Sequence, residues 1–304
     1  MPLKSDRELK VGFIGAGTVG TALAIKLSEC GYNVVAISDC NTGAAAKFTH
    51  AVSSSRIYPN NQDIADNANV VFITTPDSVI PVVASSLRWR IGQSVIHCSG
   101  ADSTDTLEPA KQLGAYVGAF HPLQTFASVT KAVENIPGST FAIEAEGPLL
   151  STLKNMVAAL KCSWVVIGAK DKAAYHAAAV FVSNYLVTLV KLGTDLWKTF
   201  DVPPERAISA MIPLLKGTLN NIDNIGIPDC LTGPIARGDS GTVQKHLDTL
   251  GKRTPDMVST YRELGLQTIP IALAKGKIDE LKAEELKEIL RSPIRSSEGG
   301  RQCA

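Results

Sequence analysis

The feature that most constrains the fold is a glycine-rich turn that joins a short apolar run to a helical segment. Residues 11–14 (VGFI) have the composition of a strand, residues 15–20 (GAGTVG) follow at once, and residues 21–30 carry the apolar spacing of a helix. In this order Gly15 makes a tight turn, Gly17 lets the backbone approach a pyrophosphate, and Gly20 allows close packing of helix on strand. A pyrophosphate would accept hydrogen bonds from free N–H groups at the helix N-terminus.

Glycine-rich turns also arise by chance in a chain with 24 glycines, so the context of this turn matters. Gly31 ends the predicted helix, residues 33–37 (NVVAI) form a second strand, and Asp39 follows the last glycine of the turn by 19 residues. An acid at this distance can bind the ribose hydroxyls of a dinucleotide. The complete strand, helix and strand unit therefore predicts a binding site for NAD or NADP.

Further apolar runs alternate with helical or loop stretches, which predicts an α/β fold with a parallel, doubly wound sheet. The runs span residues 70–73, 94–97, 115–120, 141–143 and 164–167. In such sheets the loops after the strands face the ligand, and here these loops are residues 74–77, 98–100 and 121–123. For Thr75 and Ser99, helix capping or turn chemistry is an equally good explanation. The candidate cofactor-binding residues are Gly15, Gly17, Thr18, Val19, Gly20, Ser38, Asp39, Thr75, Pro76 and Ser99.

Strand signals stop after about residue 168, and the rest of the chain has helical patterns. The predicted helices cover residues 170–197, 205–219, 241–250, 255–263 and 283–290. The first of them is apolar nearly all round its middle, which predicts that neighbours bury it. With 304 residues the chain is long enough for two domains. We therefore expect a dinucleotide-binding domain over residues 1–168, a helical domain over residues 169–290 and a frayed tail over residues 291–304.

Polar residues on the first predicted helix share one stripe. At 100° per residue, Lys172, His176 and Ser183 fall within about 40° of one another. An ammonium and an imidazole beside a nicotinamide could exchange a proton with the atom whose carbon exchanges the hydride. The simpler interpretation is an exposed Lys172, a satisfied core histidine and a serine that bonds back to a carbonyl. Tyr175 and Asn184 lie on other faces, where packing is the expected role.

Composition excludes several classes of partner and site. The 30 Lys and Arg residues against 29 Asp and Glu residues give a net charge of +1, which builds no field for nucleic acid or an anionic membrane. The six cysteines show neither a C-x-x-C pair nor a histidine at zinc-finger spacing, so no metal site or disulfide framework is indicated. The polar N-terminus lacks a secretory signal, and the longest uncharged stretch of the second half, residues 177–190, is shorter than the ~18 residues that span a bilayer. A cytoplasmic protein is expected.

Four segments carry a resemblance to known proteins: residues 118–124 (GAFHPLQ), 171–180 (DKAAYHAAAV), 183–187 (SNYLV) and 231–239 (LTGPIARGD). With the glycine-rich turn, they resemble the two-domain dehydrogenases that join an N-terminal Rossmann domain to a helical domain of the 6-phosphogluconate dehydrogenase type. That group includes 3-hydroxyisobutyrate dehydrogenases, pyrroline-5-carboxylate reductases, ketopantoate reductases and deazaflavin-dependent NADP oxidoreductases. Within it, the chain is most similar to the Rossmann-like family with a DUF2520 domain, over about residues 9–290.

The resemblance implies candidate catalytic residues. The 3-hydroxyacid dehydrogenases use a lysine at the start of the first helix of the second domain, and Lys172 falls at the matching place. Their asparagine one turn later is replaced by His176, and their Ser-Gly-Gly substrate loop is replaced by His121-Pro122-Leu123. A substrate other than a standard 3-hydroxyacid is therefore expected, with Lys172, His176 and His121 as the candidate catalytic residues.

The residues at the end of the second strand indicate which of the two dinucleotides, NAD or NADP, is preferred. Many relatives carry Ser-Arg there, with the arginine reading the 2′-phosphate of NADP, whereas this chain has Ser38-Asp39. An acid repels that phosphate, so NAD is favoured over NADP.

Together these features predict an NAD(P)-dependent oxidoreductase that transfers a hydride to or from a small molecule bound between the two domains. The alternative is a dinucleotide-binding sensor or scaffold without hydride chemistry, because fold alone does not define function. The apolar helix further predicts a homodimer through the helical domain. Arg237 is a candidate anion binder, with a surface salt bridge as an equal alternative.

Overall fold

The computed structural model describes residues 6–293, and their contacts divide the chain into two units, one up to Asn184 and one from Tyr185 onward. The first unit holds eight strands. They are β1 (Lys10–Ile14), β2 (Asn33–Ser38), β3 (Arg56–Ile57), β4 (Val70–Ile73), β5 (Ser94–His97), β6 (Tyr116–Leu123), β7 (Thr140–Ala145) and β8 (Ser163–Val166). The helices of the first unit are α1 (Thr18–Glu29), α2 (Thr42–Ala51), α3 (Asn61–Asn67), α4 (Ile80–Ser86), α5 (Glu108–Gln112), α6 (Val129–Asn135), α7 (Gly147–Ala159) and α8 (Lys172–Val182).

The strands form one sheet in the order β3-β2-β1-β4-β5-β6-β7-β8. The α/β class and the seven strands expected from the sequence are confirmed, and β3 is an additional short strand. The expectation of a wholly parallel sheet is wrong at one pair, because β6 and β7 run antiparallel. Pairing with β7 continues β6 to Leu123, so residues 121–123 belong to a strand and not to the predicted loop. His121 pairs with Ala142 in this register.

Side chains from the two faces of the sheet form two separate cores. On one face Phe13, Phe72, Phe120 and Phe141, from β1, β4, β6 and β7, form a row of rings with centroids 5.1, 6.0 and 4.5 Å apart. All four are fully buried. Alternate residues of the same strands, Ile14 among them, point to the other core. Burying large apolar groups on both faces makes the sheet a rigid platform for the loops at its edge.

The glycine-rich turn folds as its spacing predicts. Gly15 has a φ of 105°, in the region that favours glycine, and its N–H donates to Ser38 O at 2.9 Å. A side chain at Gly20 would lie 2.3 Å from Thr74 Oγ1 and 2.7 Å from Gly15 O. The close packing of α1 on the sheet therefore requires glycine at position 20.

The second unit is helical throughout its described residues. Its helices are α9 (Asn184–Lys198), which begins at the boundary, α10 (Pro204–Ile225), α11 (Ser240–Arg253), α12 (Val258–Ala274) and α13 (Glu280–Arg291). The helices predicted at residues 205–219, 241–250, 255–263 and 283–290 correspond to α10, α11, α12 and α13, and α12 extends beyond its prediction to Ala274. A core of its own includes Val243, Leu247, Ile269 and Leu286. The predicted tail lies largely outside the described residues, since α13 extends to Arg291 and the description ends at residue 293.

The first predicted helix of the second half differs from expectation in two respects. Residues 170–197 are not one continuous helix, because the helix is interrupted at Ser183, between α8 and α9. The expected burial of its apolar middle is wrong within this chain, since Val182 and Val187 are 74% and 71% exposed. The contact boundary after Asn184 also lies later than the change in composition near residue 168. Helix α8 thus has the composition of the helical half but packs with the sheet unit.

One helical stretch of the described residues, Ala169–Lys198, is long and apolar enough to cross a membrane by length and composition alone. None of its apolar window is buried within the described residues, so burial in this chain does not account for its composition. Lys172 lies within this stretch and is buried in the first unit, where its ammonium donates to a backbone carbonyl. Its contacts therefore tie the start of the stretch to the sheet.

Candidate functional site

The N-terminus of α1 offers free backbone donors beside the glycine-rich turn. Gly17 is the N-cap residue, no side chain caps the helix, and the first turn holds no acid. The N–H groups of Thr18 and Val19 have no carbonyl partner one turn earlier in the helix. A Cβ at Gly17 would meet only Thr74 O, at 3.8 Å, so the backbone here is open to a close approach. These features fit the pyrophosphate of a dinucleotide.

Asp39 lies against the same turn. One carboxylate oxygen accepts from Ala16 N and the other from Asn41 N, both at 2.6 Å. Ser38, the residue before it, is buried and holds Gly15 through its carbonyl. Each carboxylate oxygen keeps a second lone pair, so Asp39 can still accept from a ribose hydroxyl. Its negative charge therefore stands where the adenosine end of a dinucleotide is expected.

The loop after β4 is joined to the glycine-rich turn. Thr74 Oγ1 donates to Gly15 O at 2.6 Å. The next side chain, Thr75, has a buried hydroxyl without a hydrogen-bond partner in the described part of the chain. Capping therefore does not explain Thr75, and an orphaned buried hydroxyl at this place fits a polar group of a ligand. Pro76 follows as the residue that precedes the short 3₁₀ helix Asp77–Val79.

Ser99, in the turn after β5, is the centre of a buried hydrogen-bond network. Its N–H donates to His97 Nδ1 at 3.1 Å, and its carbonyl accepts from Lys172 Nζ at 2.8 Å. Its hydroxyl accepts from Asp102 N at 3.0 Å and lies 2.9 Å from Asp77 Oδ2 and 3.2 Å from Asp102 Oδ2. Every polar atom of Ser99 is thus engaged with the protein. The turn-chemistry interpretation accounts for Ser99 better than a direct contact with a cofactor.

His97 is a site residue that sequence reasoning missed, because it ends a strand whose other residues are mostly apolar. Its Nδ1 accepts from Ser99 N, so Nε2 carries the proton and donates to Ser103 O at 3.1 Å. Burial lowers the pKa of His97 to about 4, and the positive charge of Lys172 acts in the same direction. His97 is therefore neutral and supports the turn at Ser99 through a hydrogen bond at each ring nitrogen.

Lys172 is 1% exposed, so the interpretation of an exposed lysine at the helix start is wrong. Burial lowers the pKa of Lys172, and nearby Glu144, Cys98, Asp102 and Asp77 oppose that shift. The ammonium donates to Ser99 O, and the nearby carboxylates of Glu144, Asp102 and Asp77 favour its charged form. Because Lys172 is the first residue of α8, this contact joins α8 to the turn after β5.

Two imidazoles and a phenol lie beside the same turn. His121 Nδ1 is 2.8 Å from Tyr175 Oη, and the two rings are perpendicular with centroids 5.6 Å apart. The His176 ring is edge-on to the His121 ring at 6.0 Å. A Cβ at Gly100 would lie 2.5 Å from His176 Cδ2 and 2.8 Å from His121 Nε2. Because residue 100 is glycine, both imidazoles can pack directly against the backbone of the turn.

Some residues of the predicted set lie elsewhere. Ser183 marks the break between α8 and α9, and it makes no side-chain hydrogen bond with the network around Ser99 in the described residues. Arg237 is in the second unit, where it lines a cavity of about 410 Å³ with Lys275 and Lys277. Within residues 6–293 no group of three His, Cys, Asp or Glu side chains could hold a metal ion.

Three polar members of the site, Asp77, Asp102 and Tyr175, are absent from the set of candidates that the sequence indicated. Asp77 falls in a predicted ligand-facing loop and could have been named from its position, as could Asp102 just beyond another. Tyr175 was expected only to pack, because it lies outside the 40° stripe of Lys172, His176 and Ser183, about 60° from Lys172. Its contact comes from His121, which β6 delivers from a distant part of the chain.

The lowered pKa of His97 predicts a pH-dependent contribution to stability. The unfolded histidine takes up a proton below about pH 6.5 while the folded one does not, so the unfolding free energy falls as pH drops from 6.5 to about 4. The loss is on the order of 3 kcal/mol for a shift of this size. The advantage of the wild type over His97→Asn in urea unfolding should therefore be largest at pH 7 and shrink at pH 4.5. The exposed His50→Asn is the control, and a pH-independent gap for His97→Asn would contradict the assignment.

Comparison with known proteins places two domains on this chain. A Rossmann-like domain matches residues 3–122, and a domain of unknown function, DUF2520, matches residues 139–268. The expected resemblance is thereby confirmed. Together the two matches span the sheet with its glycine-rich turn and most of the described helices.

Individual proteins with similar sequence or structure carry oxidoreductase names. A 2-(hydroxymethyl)glutarate dehydrogenase from Eubacterium barkeri is 25% identical over 112 residues, which are 35% of this chain and 36% of that protein. A crystal structure from Bacteroides fragilis, assigned as that of an NADP oxidoreductase, has a TM-score of 0.71 at 22% identity and covers 88% of this chain and 100% of the other. A Plasmodium falciparum pyrroline carboxylate reductase with NADP bound has a TM-score of 0.58 at 13% identity over 93% and 98%. At these identities the structural matches establish a shared fold.

Proposed function

We propose that this protein, which carries a Rossmann-like domain and a DUF2520 domain, is an NAD(P)-dependent oxidoreductase that acts on a small molecule. The observation that carries the proposal is the continuity of the site along one edge of the sheet. Thr74 joins the glycine-rich turn to the loop after β4, and the Asp77–Ser99 contact joins that loop to the turn after β5. A dinucleotide laid along this edge would run from Asp39 toward His121. The oxidoreductase names of the compared proteins agree with the proposal.

The cofactor fits the residues present. The uncapped start of α1 would hold the pyrophosphate, Asp39 the ribose hydroxyls, and the orphaned hydroxyl of Thr75 a polar group farther along. When bound, a nicotinamide dinucleotide supplies or accepts the hydride. The protein then has to bind the substrate, orient it and manage one proton. The sensor alternative has no observation in its favour, whereas convergence of ionisable groups is expected of a catalytic site.

Lys172, His176 and His121 are the residues that we propose for the chemistry. All three adjoin the turn of Ser99 and Gly100. The Lys172 ammonium holds the Ser99 carbonyl and brings positive charge to the site. His121 and His176 present ring edges beside it. A hydrogen-bond donor here would stabilise the negative charge that develops on a reduced oxygen or nitrogen.

The proposal predicts dinucleotide-dependent turnover that requires Lys172. Oxidation of NADH or NADPH, followed at 340 nm with a panel of small aldehydes, ketones and cyclic imines, should reveal a substrate. On that substrate Lys172→Met should lose at least tenfold in turnover, because the turn at Ser99 loses its charged partner. Lys170→Met, an exposed lysine in the same segment, should retain the wild-type rate. Tight dinucleotide binding without turnover across the panel would favour the sensor alternative.

We further propose NAD as the preferred cofactor. Asp39 places a carboxylate at the end of β2, where the 2′-phosphate of NADP would lie, and like charges at short range repel. The structures described with NADP share 22% identity or less with this chain. At this level of sequence identity the structures support a shared fold but not a shared cofactor. The proposed preference for NAD therefore rests on Asp39.

Titration of the protein by NADH and NADPH fluorescence tests this preference. We expect NADH to bind about tenfold more tightly, a difference of about 1.4 kcal/mol. Asp39→Asn should reduce the discrimination, because the amide keeps an acceptor for Ala16 N and removes the negative charge. NADPH bound at least tenfold more tightly than NADH by the wild type would contradict the preference.

A cytoplasmic homodimer is the form that we propose for the active protein. The described cysteines are all free thiols, which is typical of a reducing compartment. Val182 and Val187 on α8 and α9, and Leu214 and Leu219 on α10, are exposed apolar side chains. Exposed apolar side chains of this kind usually mark interaction surfaces, and a second copy of the chain offers the same side chains in a two-fold arrangement.

Sedimentation of the purified protein tests the dimer. We expect a species of twice the 32.2 kDa chain mass at micromolar concentration. Val187→Asp together with Leu214→Asp should shift the protein toward monomer, because burying two unpaired carboxylates opposes association. A strict monomer of the wild type at this concentration would contradict the proposal.

A further inference from the structure

We propose that Tyr175 is a positioning residue that holds His121 as its Nε2–H tautomer, so that His121 offers a neutral N–H donor to the reacting oxygen or nitrogen of the substrate. The inference rests on the proposed oxidoreductase function and narrows its three candidates to one donor. It also assigns a role to Tyr175, for which the sequence had indicated only packing.

The direction of the hydrogen bond between Tyr175 and His121 follows from the partners of each group. Tyr175 Oη and His121 Nδ1 are 2.8 Å apart. If Nδ1 carried the proton, the phenolic hydrogen would have no acceptor among residues 6–293. If the phenol donates instead, Nδ1 uses its lone pair and both groups are satisfied. Burial raises the pKa of Tyr175 to about 12, so the phenol keeps its proton at neutral pH.

The other ring nitrogen of His121 then carries the proton and faces the turn. Nε2 makes no hydrogen bond to any described residue. It lies 2.8 Å from the position that a Cβ of Gly100 would take. Gly100 belongs to the turn after β5, at the sheet edge that carries the glycine-rich turn and the loop of Thr75. The unused N–H is therefore at the edge where the substrate is expected.

The imidazole of His121 is neutral across the physiological range. Burial lowers the pKa of His121 to about 4, and positive charge on Lys172, His176 or His97 would lower it in the same direction. A neutral imidazole does not act as a strong acid, but it can polarise a carbonyl or imine through its N–H. Charge developing on the reacting atom would strengthen that hydrogen bond.

The pair can also deliver a proton with the charges balanced. When the reacting oxygen takes the Nε2 proton, the bond from Nε2 to hydrogen breaks and a new O–H bond forms. The hydroxyl proton of Tyr175 passes to Nδ1, which leaves the imidazole neutral and the negative charge on the phenolate oxygen. An alkoxide is a stronger base than a phenolate, so the transfer is downhill. Solvent then returns a proton to Tyr175.

The hydrogen bonds of Lys172 and His121 indicate different roles for the two residues. The ammonium is almost fully buried and donates to Ser99 O, so that one of its protons is committed to the turn. His121 has a donor with no such commitment. We therefore assign Lys172 to holding the turn and supplying positive charge, and His121 to the hydrogen bond with the substrate.

A second histidine–tyrosine pair in the structure provides a matched control for testing the role of Tyr175. In the second unit His246 Nδ1 lies 2.8 Å from Tyr261 Oη, with perpendicular rings whose centroids are 5.8 Å apart. This pair repeats the local geometry of Tyr175 and His121 outside the sheet unit. Tyr261→Phe therefore removes an equivalent hydrogen bond between two residues that are not members of the proposed site.

The experiment is ring-¹⁵N NMR of the full chain labelled at its five histidines, with and without Tyr175→Phe. In the wild type at pH 7, His121 should show the Nε2–H tautomer. Tyr175→Phe should move the His121 Nδ1 resonance and mix the two tautomers, whereas Tyr261→Phe should affect His246 alone. An Nδ1–H tautomer of His121 in the wild type, or an unchanged His121 spectrum in Tyr175→Phe, would overturn the inference. The wild-type spectrum decides the point even if the variant fails to fold.

Kinetics separates this inference from the proposed function. Tyr175→Phe should lower kcat about tenfold on the substrate found with NADH or NADPH, with little change in the KM for the dinucleotide. Tyr261→Phe should leave both constants unchanged. A normal kcat in Tyr175→Phe would overturn the positioning role while the oxidoreductase proposal stands. If the wild type binds dinucleotide and turns over no substrate, the proposed function fails, and the NMR result still decides the tautomer.

Discussion

The candidate site depends on one buried contact, the hydrogen bond from the Lys172 ammonium to the Ser99 carbonyl. Burying an ammonium is costly unless polar groups compensate it. Here the carbonyl accepts directly, and Asp77, Asp102 and Glu144 add negative charge nearby. The contact holds the first residue of α8 against the turn after β5. Tyr175 and His176 follow within the next turn of that helix, so their distance to His121 depends on it.

The network around Ser99 gives the sheet edge a continuous structure. Thr74 bonds the glycine-rich turn, and Asp77 in the same loop contacts the Ser99 hydroxyl. Three loops that follow separate strands are thereby joined through side chains. Such an edge can present a dinucleotide and a reacting group in a defined geometry without rearrangement of the sheet. The aromatic core beneath it, from Phe13 to Phe141, limits the movement of these strands.

Elements that rest on local pattern were predictable. The strand, glycine-rich turn and helix at residues 10–29 depend on the conformations of adjacent residues, and their spacing indicated them correctly. The antiparallel pairing of β6 with β7 was not predictable, because both strands show the same apolar composition in either direction. The burial of α8 and α9 was also misjudged. Apolar composition indicates a surface that avoids water, but it does not say whether the same chain supplies the cover.

By itself the sequence determined the α/β class, the dinucleotide-type turn and the identity of Lys172, His176 and His121 as candidates, because these follow from local spacing and residue chemistry. Only the tertiary structure decided that His121 meets Tyr175 instead of remaining in a loop, and that His97 and Asp77 support the turn at Ser99. A helical wheel places Tyr175 about 60° from Lys172, but it considers one helix alone and does not show which strand the phenol meets. The position of β6 brings His121 beside both Tyr175 and His176. That position is set by the strand order across the sheet, which no local segment encodes.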